Sequence, residues 1–425
     1  MKETYTLRER LFGDGEKKSI RYKDIFYLIC ASISIKLVVF AATTRVFGSF
    51  IDMFDITLYA TYSLNIINGQ IPYVNFVVEY PQLFFVPILL AAIPAMWMNS
   101  MDVYINAYHI VLSIIDVLTC VFVYFIALKF YNSRTAFFSA LMYATAFGSA
   151  YYVLTKYDAY PTFIILLSLM LFLYRDDIYG KSIGAYVAAS AGFFIKWFPV
   201  IVAPFYFLYD LKNKTLNKNM VHSVIVAILF ALAITIPFVV MSLDGFIKTY
   251  TFHFGRTPLS SSFTYYVDQI FNTVFHVTWF SSTSMIITAV LELILLAIYF
   301  KYGNPGKLEL VKFIFISMFI FVICNKIFSP QYILWLVPFM AILLIDSWRG
   351  ILLFYICQVW FYIEFPLVYG KIYINDNYIF TGSFLTSYPF IFFTVKFIIL
   401  FLIAYLICSN MKVSISLKQI KKKDN

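Results

Sequence analysis

Charge is what this chain has least of: 13% of its 425 residues are Asp, Glu, Lys or Arg, against 62% hydrophobic. A soluble domain carries roughly 25% charged residues and less apolar content. Residues that build metal or redox centres are also sparse. Cys30, Cys120, Cys324, Cys357 and Cys408 are scattered without CxxC spacing, which argues against a disulfide framework or a zinc site. His109, His222, His253 and His276 form no HExxH pair, and Gly303-Asn304-Pro305-Gly306-Lys307 lacks the Walker spacing. The sequence has no run of alternating ten-residue strands, which argues against an outer-membrane barrel. The first 24 residues are too charged for a cleaved signal peptide.

What the chain does have is apolar runs of about 15–24 residues, recurring along its whole length; about 20 cross a hydrocarbon layer. Spans are expected at 25–47, 104–128, 136–154, 160–174, 182–195, 197–210, 221–241, 282–300, 308–325, 331–345, 350–367 and 387–408. The expected fold is therefore all-α, a polytopic integral membrane protein of about 12 transmembrane helices. A single membrane domain at 25–408 is flanked by a basic N-terminus at 1–24 and a basic tail at 409–425. With both termini cytoplasmic, 22 of the 32 basic residues fall on cytoplasmic segments and seven on outer ones. Lys36, Lys312 and Lys396 fall within spans. This is the bias that the positive-inside rule requires. The net charge of +10 is thereby explained as topology, with no nucleic-acid partner.

The longest connections, 48–103 and 243–281, face outward, with a shorter one at 368–386. The apolar segment 82–98 contains Pro87 and Pro94 and reads as an outer-leaflet or re-entrant helix. The short spans at 182–195 and 197–210 meet at Lys196-Trp197-Phe198-Pro199, a broken helix of the kind that lines protein-enclosed cavities.

Polar groups gather on this outer side. Asp52 and Asp55 precede a helix on which Tyr59, Tyr62 and Ile66 share a face, and Gly69 and Pro72 end it. Asp at such a position commonly caps a helix, a use that suits Asp52 better than Asp55. Lys156, Asp158, Lys196, Lys326, Gln331 and Tyr332 sit at expected span ends, and His253, Arg256 and Asp268 in the second large outer segment. Asp116, inside the second span, needs a partner and reads as a structural hydrogen-bonding group. One carboxylate, several cations and apolar walls suit glycosyl transfer from a lipid phosphate. A phosphate leaves without protonation, so a single general base for the acceptor hydroxyl suffices, with Lys or Arg on the departing phosphate. A glycosidase, by contrast, needs paired carboxylates.

Four patterns resemble the GT-C type glycosyltransferases, and within them the GPI mannosyltransferase I family and related prokaryotic multi-spanning mannosyltransferases. They are Asp55 through Gly69-Gln70-Ile71-Pro72-Tyr73 to Glu79-Tyr80-Pro81, then Ile115-Asp116-Val117-Leu118-Thr119, Ile195-Lys196-Trp197-Phe198-Pro199 and Ser329-Pro330-Gln331-Tyr332-Ile333-Leu334-Trp335. They keep the family's order across residues 55–340. The family's first-loop D-x-D has its second Asp at Asp55 and its first at Met53, which leaves Asp55 as the sole base candidate.

The resemblance implies transfer of a hexose, mannose foremost, from a polyprenyl- or dolichyl-phosphate donor to a lipid- or protein-linked glycan. Asp55 would be catalytic. Asp52, Tyr59, Tyr73, Glu79, Tyr80, Lys156, Asp158, Lys196, Arg256, Lys326, Gln331 and Tyr332 would form the substrate site. A divalent cation stays open as a cofactor. The membrane would be the plasma membrane of a prokaryote, or the endoplasmic reticulum of a eukaryote. A transporter or flippase of lipid-linked sugars and a glycan polymerase are the rivals. The first would be expected to show paired broken helices in corresponding halves, and the second an Arg-rich outer loop.

Overall fold

The computed structural model describes residues 18–46, 52–175, 179–215, 218–368, 388–409 and 411. The N-terminal arm before residue 18, most of the connection at 368–386 and the tail beyond 411 lie outside the described residues. Helix α1 (Tyr22–Ala41) is followed by α2 (Met53–Ile67), α3 (Phe85–Met98) and the 30-residue α4 (Met101–Phe130). Next come α5 (Ser133–Ala144), α6 (Phe147–Thr155), α7 (Ala159–Leu173), α8 (Tyr179–Phe193), α9 (Val202–Lys212) and α10 (Lys218–Met241). Two short helices, α11 (Leu243–Gly255) and α12 (Phe263–Phe275), precede α13 (Phe280–Tyr302), α14 (Lys307–Cys324), α15 (Ile333–Leu343), α16 (Trp348–Tyr362) and α17 (Tyr388–Ser409). Among the described residues no strand forms, apart from an isolated bridge between Pro72 and Phe76. The all-α expectation holds.

The expected count of about 12 spans does not carry over directly. Among the described residues, six helices are long and apolar enough to cross a membrane, or seven if α5 and α6, bent by 56°, count as one span. The reason is length. Helix α7, of 15 residues, reaches only about 22 Å at 1.5 Å per residue, short of a ~30 Å hydrocarbon layer. Proline and glycine breaks divide the other short passages, as at Phe193–Val202 and Ser329–Ile333. The protein is a multi-pass membrane protein by its long apolar helices. Helix α10 makes the point physically: Val221, Ile225, Ile228, Leu229, Leu232, Ile236 and Val240 are all exposed, a face that only lipid or another apolar surface would cover.

The lysines expected inside spans are each neutralised. Lys36 pairs with Asp116 at 2.6 Å, Lys312 with Glu309 at 2.8 Å and Lys396 with Glu364 at 2.9 Å. Asp116 also accepts from Tyr143 Oη at 2.5 Å, consistent with its structural reading.

The bundle has two chemically different ends. At one, Lys18 donates to the Lys129 carbonyl (3.0 Å), Lys307 to Leu173 (2.9 Å) and Lys212 to Tyr299 (3.0 Å). Each lysine thus satisfies a last-turn carbonyl of α4, α7 or α13, at the negative end of the helix dipole. At the other end the N-terminus of α2, the starts of α7 and α15 and the end of α14 converge on one cavity.

Candidate active site

Asp52 caps α2, its Oδ1 accepting from the Phe54 amide at 3.1 Å, so the expected capping use is present. Asp55 lies in the first turn, where a carboxylate is favoured by the helix dipole. Lys156, the first residue past α6, donates to both: its Nζ bonds Asp52 Oδ2 and lies 2.6 Å from Asp55 Oδ2. The lysine side chain is 7% exposed. Burial disfavours its charge, but Asp55 and Asp52 outweigh this and hold Lys156 above its ordinary 10.5.

A second ion pair stands beside the first. Lys196 bonds Asp158 Oδ1 at 2.6 Å, and the Trp335 indole N–H donates to the same oxygen at 2.9 Å. The Lys196 ammonium lies 4.8–4.9 Å from the ring centres of Tyr157, Tyr332 and Trp335, within cation–π range. Trp335 is itself sandwiched between Phe198 (3.8 Å) and Tyr332 (3.9 Å). Burial lowers Lys196 below 10.5, with Asp158 opposing. The chain reaches this geometry through the expected break after α8, where a β-carbon on Gly192 would come within 2.4 Å of Pro199.

The loop after α2 closes a third side. Leu83 N–H donates to the Phe194 carbonyl at 2.7 Å, fixing the loop to that break. Tyr80 stacks on Phe84 at 4.2 Å, and Tyr59 packs edge-on against Tyr80, Phe84 and Tyr157. Helix α11 docks on the same loop: Thr249 donates to the Val78 carbonyl and His253 Nε2 pairs with the Glu79 carbonyl, at 2.9 and 2.8 Å. Burial raises Glu79 above 4.5, with Arg256 opposing and Asp55 adding to the rise. Burial also lowers His253 below 6.5.

These elements enclose a cavity of about 690 Å³, within the range of ligand pockets. Its wall brings together Asp52, Asp55, Tyr59, Glu79, Tyr80, Lys156, Asp158, Lys196, Arg256, Lys326, Gln331 and Tyr332. Tyr73 departs from expectation and lies outside it. Its hydroxyl donates to the Tyr80 carbonyl at 2.7 Å, and its ring packs on Phe85, Phe238 and Phe246, so it braces the loop from behind. The four cations also divide into two kinds. Lys156 and Lys196 are each bonded to carboxylates, which leaves them less available to a phosphate than their sequence positions suggested. Arg256 and Lys326 line the cavity with no carboxylate within 4.0 Å among the described residues; Lys326 donates to the Phe254 carbonyl at 2.7 Å. Asp268, grouped with them by sequence, instead caps α13 by accepting from Trp279, Phe280 and Ser281 amides.

Several wall residues escaped the sequence reading. Trp335 stood inside the quoted Ser329–Trp335 pattern, one helical turn after Gln331, and that spacing was the available signal. Tyr157, Trp197 and Phe198 carried none beyond their neighbours, since 21% of the chain is aromatic. Met285, Thr288, Ala289, Phe321 and Cys324 form the wall between α13 and α14, and Met285 is 48% exposed. The polar chamber is thus continuous with apolar surface on the outside of the bundle. As for a metal, no group of three or more His, Cys, Asp or Glu able to hold one occurs among the described residues.

The sequence matches no protein-family model and no curated protein. Among solved structures the chain is similar to ArnT from Cupriavidus metallidurans bound to undecaprenyl phosphate, with 13% identity and a TM-score of 0.49. That likeness covers 91% of this chain and 77% of the other. It is also similar to the Archaeoglobus fulgidus oligosaccharyltransferase. The apo form gives 12% identity and a TM-score of 0.46, over 93% of this chain and 56% of that one. The complex with zinc and sulfate gives 13% and 0.43, over 86% and 52%. This chain therefore spans about half the length of the oligosaccharyltransferase. With TM-scores below 0.5, these likenesses assign neither a fold family nor an activity to this chain.

Proposed function

We propose that the protein is a GT-C type membrane glycosyltransferase that moves a hexose, mannose foremost, from a polyprenyl-phosphate donor to a glycan acceptor. The observation that carries this reading is the cavity itself. It joins a carboxylate on a helix N-terminus, two cations without carboxylate partners among the described residues and an apolar wall that reaches the bundle surface.

In this reaction the acceptor hydroxyl attacks the sugar's anomeric carbon while the bond from that carbon to the phosphate oxygen breaks. Asp55 takes the hydroxyl proton as general base, its Oδ2 held in place by Lys156. The electron pair leaves with the lipid phosphate, whose charge Arg256 and Lys326 neutralise. Attack from the side opposite the phosphate inverts the anomeric centre. Lys196 and Asp158 hold the aromatic stack of Trp335 and Tyr332 in place rather than binding phosphate. Tyr59 and Tyr80 shape the chamber, with Glu79 and Gln331 available to sugar hydroxyls. The positive-inside bias supports an outer-face chamber with both termini cytoplasmic.

The test uses membranes containing the protein, a labelled polyprenyl-phosphate mannose and an extracted glycolipid pool. Wild type is expected to transfer label, and Asp55→Asn to lose at least 100-fold of the rate, in line with removal of a general base. Undiminished transfer by Asp55→Asn sinks the assignment of the base. Movement of the lipid across vesicles with no transfer by any variant replaces the enzyme with a flippase.

A further inference from the structure

We propose that the Lys156 ammonium is a built-in cation, standing where a divalent metal would otherwise join the two first-loop carboxylates. Asp52 Oδ2 and Asp55 Oδ2 converge on a single point, and Lys156 Nζ occupies it, 2.6 Å from the Asp55 oxygen. Convergent carboxylate oxygens are the usual beginning of a magnesium or manganese site, with metal–oxygen distances of about 2.0–2.2 Å. The donor set stops there, because no third His, Cys, Asp or Glu joins it among the described residues. A metal does not fit beside the lysine. It would share the same two oxygens with a positive charge in a poorly solvated wall, where like charges repel strongly.

Lys156 is also not a side chain that swings aside. It is 7% exposed, its own N–H donates to the Tyr152 carbonyl at 2.8 Å, and its neighbours Thr155 and Tyr157 are buried. Asp52 has its second oxygen committed to the Phe54 amide, so the pair is aimed at Lys156 by the helix cap. Lys156 is accordingly a positioning residue: it keeps Asp55 pointed without a metal, and its removal creates a metal site where there was none.

The inference concerns the carboxylates of the proposed transferase but does not rest on transfer, because its readout is metal binding. Full-length protein in nanodiscs is titrated with manganese alone, followed by electron paramagnetic resonance. Wild type and Lys156→Arg are expected to show no manganese bound through Asp52 below millimolar concentration. Lys156→Met is expected to bind manganese at least ten-fold more tightly than wild type, and to lose the gain when Asp52→Asn is added. Sub-millimolar binding by wild type that disappears in Asp52→Asn overturns the proposal. So does a folded Lys156→Met, judged by its thermal transition, that gains no manganese. If Lys156→Met does not fold, the comparison of wild type with Asp52→Asn decides alone. Failure of the transferase reading would instead appear as no sugar transfer by wild type, with the manganese result unchanged.

Discussion

Lys396 is fully buried, and its ammonium is held by Glu364, by the Ser261 carbonyl at 3.1 Å and by the faces of Phe328, Phe393 and Phe397. Removing one member of such a pair strands the other charge, at about 3–5 kcal/mol, whereas replacing both by apolar residues is near neutral. Lys396→Met is therefore expected to lower thermal stability in detergent by several degrees or more, and Lys396→Met with Glu364→Leu to recover most of it. Equal loss in single and double variants would show the packing, not the charge, to matter. The sequence displayed each of these lysines as an anomaly but not its partner. Lys36 and Asp116 are 80 positions apart, and only the helix packing of α1 against α4 joins them. The same limit applied to Lys156 and Lys196. Their positions at span ends were legible, whereas their pairing with Asp52, Asp55 and Asp158 depends on contacts made by folding. Tyr73 was misread for a related reason: its place beside an acidic loop was clear, but the direction of its ring was not.

Helix α11 is the element on which the cavity's outer wall depends. A β-carbon at Gly245 would lie 1.7 Å from the Tyr73 carbonyl oxygen, so the helix and loop meet backbone to backbone. Gly245→Ala forces them apart, an overpacking cost of about 1–3 kcal/mol. Because Arg256 follows the same helix, weaker binding of the lipid phosphate is expected too, measured with a labelled donor. Docking should also depend on pH through two opposed groups. Glu79 has a raised folded value, so its contribution is full below 4.5 and is lost as pH rises through that value. His253 has a lowered one, so its contribution is full above 6.5 and is lost as pH falls through it. Neither contribution is full between pH 4.5 and 6.5, so hydrogen exchange in α11, corrected for intrinsic rate, is expected to be fastest there. In Glu79→Gln the loss of protection toward high pH should shrink, and a profile identical to wild type would remove Glu79 as its source. At this scale the sequence read well. The first-loop helix, its end near Gly69 and the break at Lys196–Pro199 all stand where hydrophobic spacing and turn residues put them. The docking of α11 on the loop was not legible, since it rests on main-chain contacts that no residue pattern announces.

For the whole molecule, the decisive asymmetry is between the lysine-capped end and the cavity end. Gln70→Cys and Lys214→Cys, each exposed and at opposite ends, report it in a background lacking Cys30 and Cys408. In intact cells an impermeant thiol reagent is expected to label the first and spare the second. The reverse result would turn the molecule over and move the chamber to the cytoplasmic side. The all-helical membrane architecture was legible from apolar runs, because lipid permits so few alternatives to helices. The span count was not, because proline and short helices divide passages that hydropathy counts as whole.

On the proposed function, the wall formed by α13 and α14, where Met285 belongs both to the cavity lining and to the bundle's apolar exterior, has a kinetic consequence. A donor entering there diffuses within the bilayer and is met at a surface density. Apparent saturation should therefore follow the donor's mole fraction among lipids. Doubling the vesicles at a fixed amount of donor should slow the reaction as dilution would, although the concentration per litre has not changed.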